Sequence, residues 1–69
     1  MPYVKIELLK GRNEDQKARI AQAVTDALVE HGGATAGSVF VVFDDVEKHD
    51  WAVGGTLLSR KAAAGPAGG

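Results

Sequence analysis

Residues 2–9 alternate in polarity, with Val4, Ile6 and Leu8 apolar against Tyr3, Lys5 and Glu7. A period of two predicts a strand with one buried face. Pro2 opens that strand, where a proline costs no ladder hydrogen bond; its parity puts it with the apolar face, at the rim of the core. After Lys10-Gly11-Arg12 the period becomes helical. Ile20, Ala21, Val24, Ala27 and Leu28 fall on one stripe expected to be buried, while Lys17, Arg19, Gln22, Asp26 and Glu30 are expected to face outward. Asn13 is the expected N-cap, with Gln16 as its capping-box partner. Glu14 and Asp15 add negative charge where the helix dipole favours it. Gly32-Gly33 ends the helix.

Val39 to Phe43 is an unbroken apolar run, the pattern of a strand covered on both faces, as in parallel sheets. Asp44-Asp45-Val46 and a polar loop, Glu47 to Asp50, follow. Trp51-Ala52-Val53-Gly54-Gly55 then predicts a turn or small hairpin, and Thr56 to Lys61 a short strand or helical turn. Residues 62–69 are alanine, glycine and one proline, expected to form a flexible tail; the folded domain is expected over residues 1–61.

Strand, helix and strand at this spacing make a βαβ unit, expected to be right-handed, in the α/β (α+β) class. Two strands cannot cover both faces of the second one, so other copies of the chain must. The bulk numbers agree. A chain of 69 residues is one small domain that buries only about 60% of its unfolded surface, and it needs extra support. There is no cysteine, which removes disulfides, thiolate catalysis and cysteine-ligated zinc together. His31 and His49 stand alone and make a poor metal site. Association is the support left. The net charge of −1, spread along the chain, points to neither nucleic acid nor an anionic membrane. No apolar run approaches the roughly 20 residues needed to cross a bilayer, and no signal peptide opens the chain, so a cytoplasmic location is expected.

Pro2 is the candidate for chemistry. When Met1 is removed, as is usual ahead of a small residue, Pro2 carries a free secondary amine able to act as base, acid or nucleophile. An α-amino group titrates at about 7.7–8.0, and a proline amine higher; an apolar surround or a nearby cation lowers the value and frees the lone pair. Arg12 is the candidate cation. It ends the strand that Pro2 begins, so the two lie roughly 30 Å apart within one chain and meet only if neighbouring chains pack in opposite directions. As a surface arginine beside a helix start it would have no such role. Trp51, in a loop and off any apolar period, either lines a site or packs beneath its loop. Asp44 and Asp45 point to opposite faces if the strand continues through them, a weak acid/base pair.

Pro2 after Met1, Leu9-Lys10-Gly11-Arg12 running into Asn13-Glu14-Asp15-Gln16-Lys17, and Trp51-Ala52-Val53-Gly54-Gly55 together resemble the 4-oxalocrotonate tautomerase family over roughly residues 2 to 61. The resemblance implies a βαβ protomer with a short C-terminal hairpin, whose parallel strands are extended by pairing with other subunits, usually as a hexamer of three dimers. It implies a cofactor-independent isomerase. Pro2, as general base and then acid, would move a proton on an unsaturated 2-oxo acid through a dienol. Arg12 from a neighbouring chain would bind a carboxylate of this small-molecule substrate and keep Pro2 neutral, and Trp51 would stand where the family has an aromatic residue. Phe40 departs: the best-known members carry an arginine there, so a poor fit to dicarboxylates and a better fit to a monoacid or aromatic enol are expected. Arg60 or Lys61 would be the replacement cation from another chain. Two other readings stay open. One is a sibling hydratase or dehalogenase using Asp44 or Asp45 to activate water; the other is an oligomeric binding protein whose site has decayed.

Overall fold

In the computed structural model residues 1–61 are described; the expected tail, residues 62–69, lies outside them. Strand β1 spans Tyr3–Leu9, helix α1 Glu14–Gly32, and strand β2 Phe40–Val46. A short hairpin follows, β3 Ala52–Val53 and β4 Thr56–Leu57, with single 3₁₀ turns at Ala36–Ser38, Lys48–Asp50 and Leu58–Arg60. The last segment is therefore both a short strand and a helical turn.

β1 and β2 pair in parallel, in register from Tyr3 opposite Phe40 to Leu9 opposite Val46. Parallel pairing needs a crossover, and α1 supplies it. The helix starts as its sequence dictates. The Asn13 side chain accepts from the Gln16 N–H at 2.8 Å, and the Gln16 side chain accepts from the Asn13 N–H at 2.9 Å. It ends on Gly33 in the left-handed conformation. Because both halves of the capping box are formed, Asn13→Ala is expected to cost about 1 kcal/mol of stability, read as a lower thermal midpoint at fixed protein concentration; an unchanged midpoint would contradict the capping role.

The helix faces the sheet with Lys17, Ile20, Ala21, Val24, Thr25 and Leu28 partly shielded. Two expectations are corrected here. Ala27 is exposed rather than part of the stripe, because at 3.6 residues per turn it lies about a quarter turn from the line through Lys17, Val24 and Leu28. Lys17 lies on that line and turns toward the sheet, where its ammonium meets Asp45 at 2.6 Å. The hairpin matches the glycine pair: Gly54 and Gly55 take φ of 61° and 85° between Val53 and Thr56, which pair directly. A two-residue hairpin loop of this hand needs positive φ at both positions.

Among the described residues nothing packs on the other sheet face. Tyr3 and Phe40 sit side by side on it, then Lys5 and Val42, then Glu7 and Asp44. Phe40 is 46% exposed, Val42 40% and Tyr3 62%. No described residue of the single chain is buried. Among the described residues the apolar run of β2 is thus covered by α1 on one face only, and its other face is open in the single chain.

Candidate active site

Pro2 continues the row of Val4, Ile6 and Leu8 and is partly shielded. Its carbonyl accepts the Phe40 N–H at 2.9 Å, which ties it to the start of β2. Its nitrogen has no hydrogen to give while Met1 is attached, and Met1 is 91% exposed. Removing Met1 would leave the carbonyl bond intact and turn an amide nitrogen into an amine at the sheet's edge.

Phe40 is beside Pro2 along the backbone but not in side-chain direction. Tyr3, not Pro2, is its register partner, so its ring stands on the open face while Pro2 belongs to the helix-facing row. One chain therefore does not present Phe40 to its own Pro2.

Arg12 lies beyond the opposite end of the sheet. Gly11, with φ 145°, turns the chain out of β1 in a conformation that side chains disfavour, and Arg12 Nη1 donates to the Leu9 carbonyl at 3.3 Å. Arg12 is exposed. Pro2 precedes β1 and the Arg12 guanidinium lies against the carbonyl at its end, so the length of the strand, roughly 23 Å, separates them. Trp51 comes five positions after β2 finishes. Its carbonyl accepts the Leu58 N–H at 2.8 Å, and its ring is partly shielded. Arg60 and Lys61 are exposed.

The acidic pair points to opposite faces because β2 runs on to Val46. Asp44 faces Lys5 at 3.7 Å on the open face, and Asp45 takes Lys17 on the helix side. Asp44 pairs with Glu7, five residues along β1 from Pro2 or roughly 16 Å. His31 and His49 each lie against the acid next to them in sequence, at 3.9 and 3.4 Å, in solvent. No three His, Cys, Asp or Glu side chains come together as a metal-binding group among the described residues.

The geometry divides the candidate residues in two. One end of the sheet holds Pro2, and the other holds Arg12. Lys17 with Asp45 is the contact that sequence reasoning missed. Its signal was the helical spacing of Lys17 with Ile20, Ala21, Val24 and Leu28.

The sequence profile of a family described as "Tautomerase enzyme" matches residues 2–61. A 2-hydroxymuconate tautomerase of Comamonas testosteroni is 44% identical over 55 residues, covering 80% of this chain and 87% of that protein. Among solved structures, YwhB, a homologue of 4-oxalocrotonate tautomerase, superposes with a TM-score of 0.82 at 36% identity, over 86% of this chain and 97% of that one. A heterohexamer 4-oxalocrotonate tautomerase from Chloroflexus aurantiacus gives 0.81 at 28% identity, over 88% and 98%. Profile, sequence and fold agree, and the chain belongs to the tautomerase family.

Proposed function

We propose that this chain is an enol–keto tautomerase that uses Pro2, freed of Met1, as its base and then its acid. The amine takes the O–H proton of an enol of a 2-oxo acid. The oxygen's electron pair forms the carbonyl, and the carbon–carbon double bond takes the proton back from the prolinium at C3. Nothing is consumed, so the step balances as an isomerisation.

The observation that carries this reading is the place of Pro2. It stands just ahead of β1 with its carbonyl engaged and its nitrogen outside the ladder, in a chain of the tautomerase family. A base at the sheet's edge can meet a substrate without any break in the fold.

Arg12 of a second copy is the proposed carboxylate anchor, and the cation that helps keep Pro2 neutral. Antiparallel association of two copies brings the Arg12 end of one to the Pro2 end of the other. A homohexamer built from three such dimers is the proposed assembly. Phe40 and Trp51 are the proposed apolar walls, each contributed by a neighbouring copy. A fully buried phenylalanine stabilises an apolar partner by about 1.5–3 kcal/mol. A second cation would instead favour a second carboxylate, so the substrate class proposed is an aromatic or otherwise apolar 2-oxo monoacid such as phenylenolpyruvate.

The test is direct assay of ketonisation of phenylenolpyruvate and of 2-hydroxymuconate, with the wild type and with Pro2→Ala. Undiminished turnover in the variant would end the reading. Phe40→Arg is expected to raise kcat/KM for 2-hydroxymuconate about tenfold or more, by adding a charge-assisted hydrogen bond, and to lower it for phenylenolpyruvate. An equal change for both substrates would remove Phe40 from the site. The hydratase reading finds no support in one chain, where Asp44 and Asp45 each hold a lysine.

A further inference from the structure

The shortest ion pair among the described residues lies outside the proposed site. Lys17 Nζ donates to Asp45 Oδ2 at 2.6 Å, joining the first turn of α1 to the end of β2 across 28 positions of sequence. The two side chains are 25% and 33% exposed. Every side chain in the other four pairs is 45% or more exposed. Among the described residues Lys17 is thus the one lysine that joins a helix to the sheet on their facing sides.

We propose that Lys17 and Asp45 are positioning residues for Arg12, an inference that rests on reading Arg12 as the carboxylate anchor. Arg12 sits between two fixed points. Behind it, the Lys10 N–H donates to the Val46 carbonyl at 2.9 Å, and Lys10 Nζ lies 3.1 Å from Glu47, so the end of β1 is tied to the end of β2. Ahead of it, Asn13 caps α1, and the helix is rigid from that residue on. Gly11 in between supplies a turn but no stiffness. Among the described residues the Arg12 side chain makes one hydrogen bond, to the Leu9 carbonyl at 3.3 Å.

The direction in which Arg12 leaves the chain therefore follows the first turn of α1. That turn meets the sheet through Lys17. The next shielded residues, Ile20 and Ala21, lie a full turn further along. Without the ion pair the helix start pivots about that apolar stripe, and the arginine fork moves with it. A fork binds a carboxylate through two parallel hydrogen bonds and tolerates little displacement.

The experiment is a mutant cycle on the assembled protein, with phenylenolpyruvate as substrate. Lys17→Met keeps the length of the side chain and removes the charge. It is expected to raise KM about tenfold and change kcat less, since misplacement of a binding group by about 1 Å is costly. In an Arg12→Ala background the same substitution is expected to add nothing. Asp45→Asn should reproduce the effect, and Lys17→Arg should restore most of the binding. Four outcomes overturn the proposal: an unchanged KM in Lys17→Met; an effect of equal size with and without Arg12; no rescue by Lys17→Arg; and loss of assembly in both Lys17→Met and Asp45→Asn, which would make the pair a requirement of the fold. If Arg12→Ala itself changes nothing, the reading of Arg12 as anchor fails and the positioning claim falls with it, whereas a loss in Arg12→Ala beside an unchanged Lys17→Met overturns the positioning claim alone.

Discussion

Replacing Pro2 by alanine is expected to lower kcat/KM for enol ketonisation about 10²-fold, and acetylating the Pro2 nitrogen to lower it about 10⁴-fold, within the range that a positioned acid/base contributes. The two losses differ for a chemical reason. Alanine, once Met1 is gone, still leaves a primary amine in nearly the same place. That amine lacks the ring that fixes its direction. An acetylated Pro2 is an amide with no available lone pair, the same state in which Met1 leaves it. The carbonyl of residue 2 accepts the Phe40 N–H in every case, so the fold should survive both changes. Intact-mass measurement must first establish that Met1 has been removed. Activity must also fall as pH drops through the amine's pKa, because protonation removes the base. Equal activity in the acetylated and free chains would leave no role for the nitrogen.

Val42→Glu is expected to abolish both assembly and fold. Val42 sits on the uncovered sheet face beside Lys5, one row from Tyr3 and Phe40. The single chain has no fully buried residue among those described, so in the proposed assembly much of its apolar surface leaves water only when that face meets another copy. A carboxylate placed there must either lose its water, at a cost of several kcal/mol, or keep the copies apart. Sedimentation and far-UV circular dichroism together would report an unfolded monomer. A folded, monodisperse monomer would show that the chain is stable alone and that the open face has no structural partner.

Much of this architecture was legible in the order of residues. Asn13 with Gln16 and Gly33 carried the helix boundaries in their own chemistry, and the glycine pair at 54 and 55 fixed the hairpin turn. Counting residues along β1 was enough to separate Pro2 from Arg12. What stayed illegible depends on pairing. That Phe40 turns away from Pro2 follows from the register of β2 against β1, and no local pattern encodes a register between strands so far apart in sequence. Lys17 was assigned to solvent because it is a lysine. Its helical position belonged to the stripe, and only Asp45 across the sheet shows why a charge belongs there. Phe40 stands out through a family resemblance rather than through its own surroundings.

The parallel course of β1 and β2 has a consequence for mixed populations. In the proposed assembly each copy lends its proline to one reaction centre and its arginine to another. A copy that had lost one of the two residues would impair only the centre to which it lends that residue, and a copy that had lost both would impair two. Defects in different copies would compensate as well. An assembly mixing chains without the base and chains without the anchor would regain some centres with both intact. Alleles of such a chain that lack different residues would be partly complementary to one another.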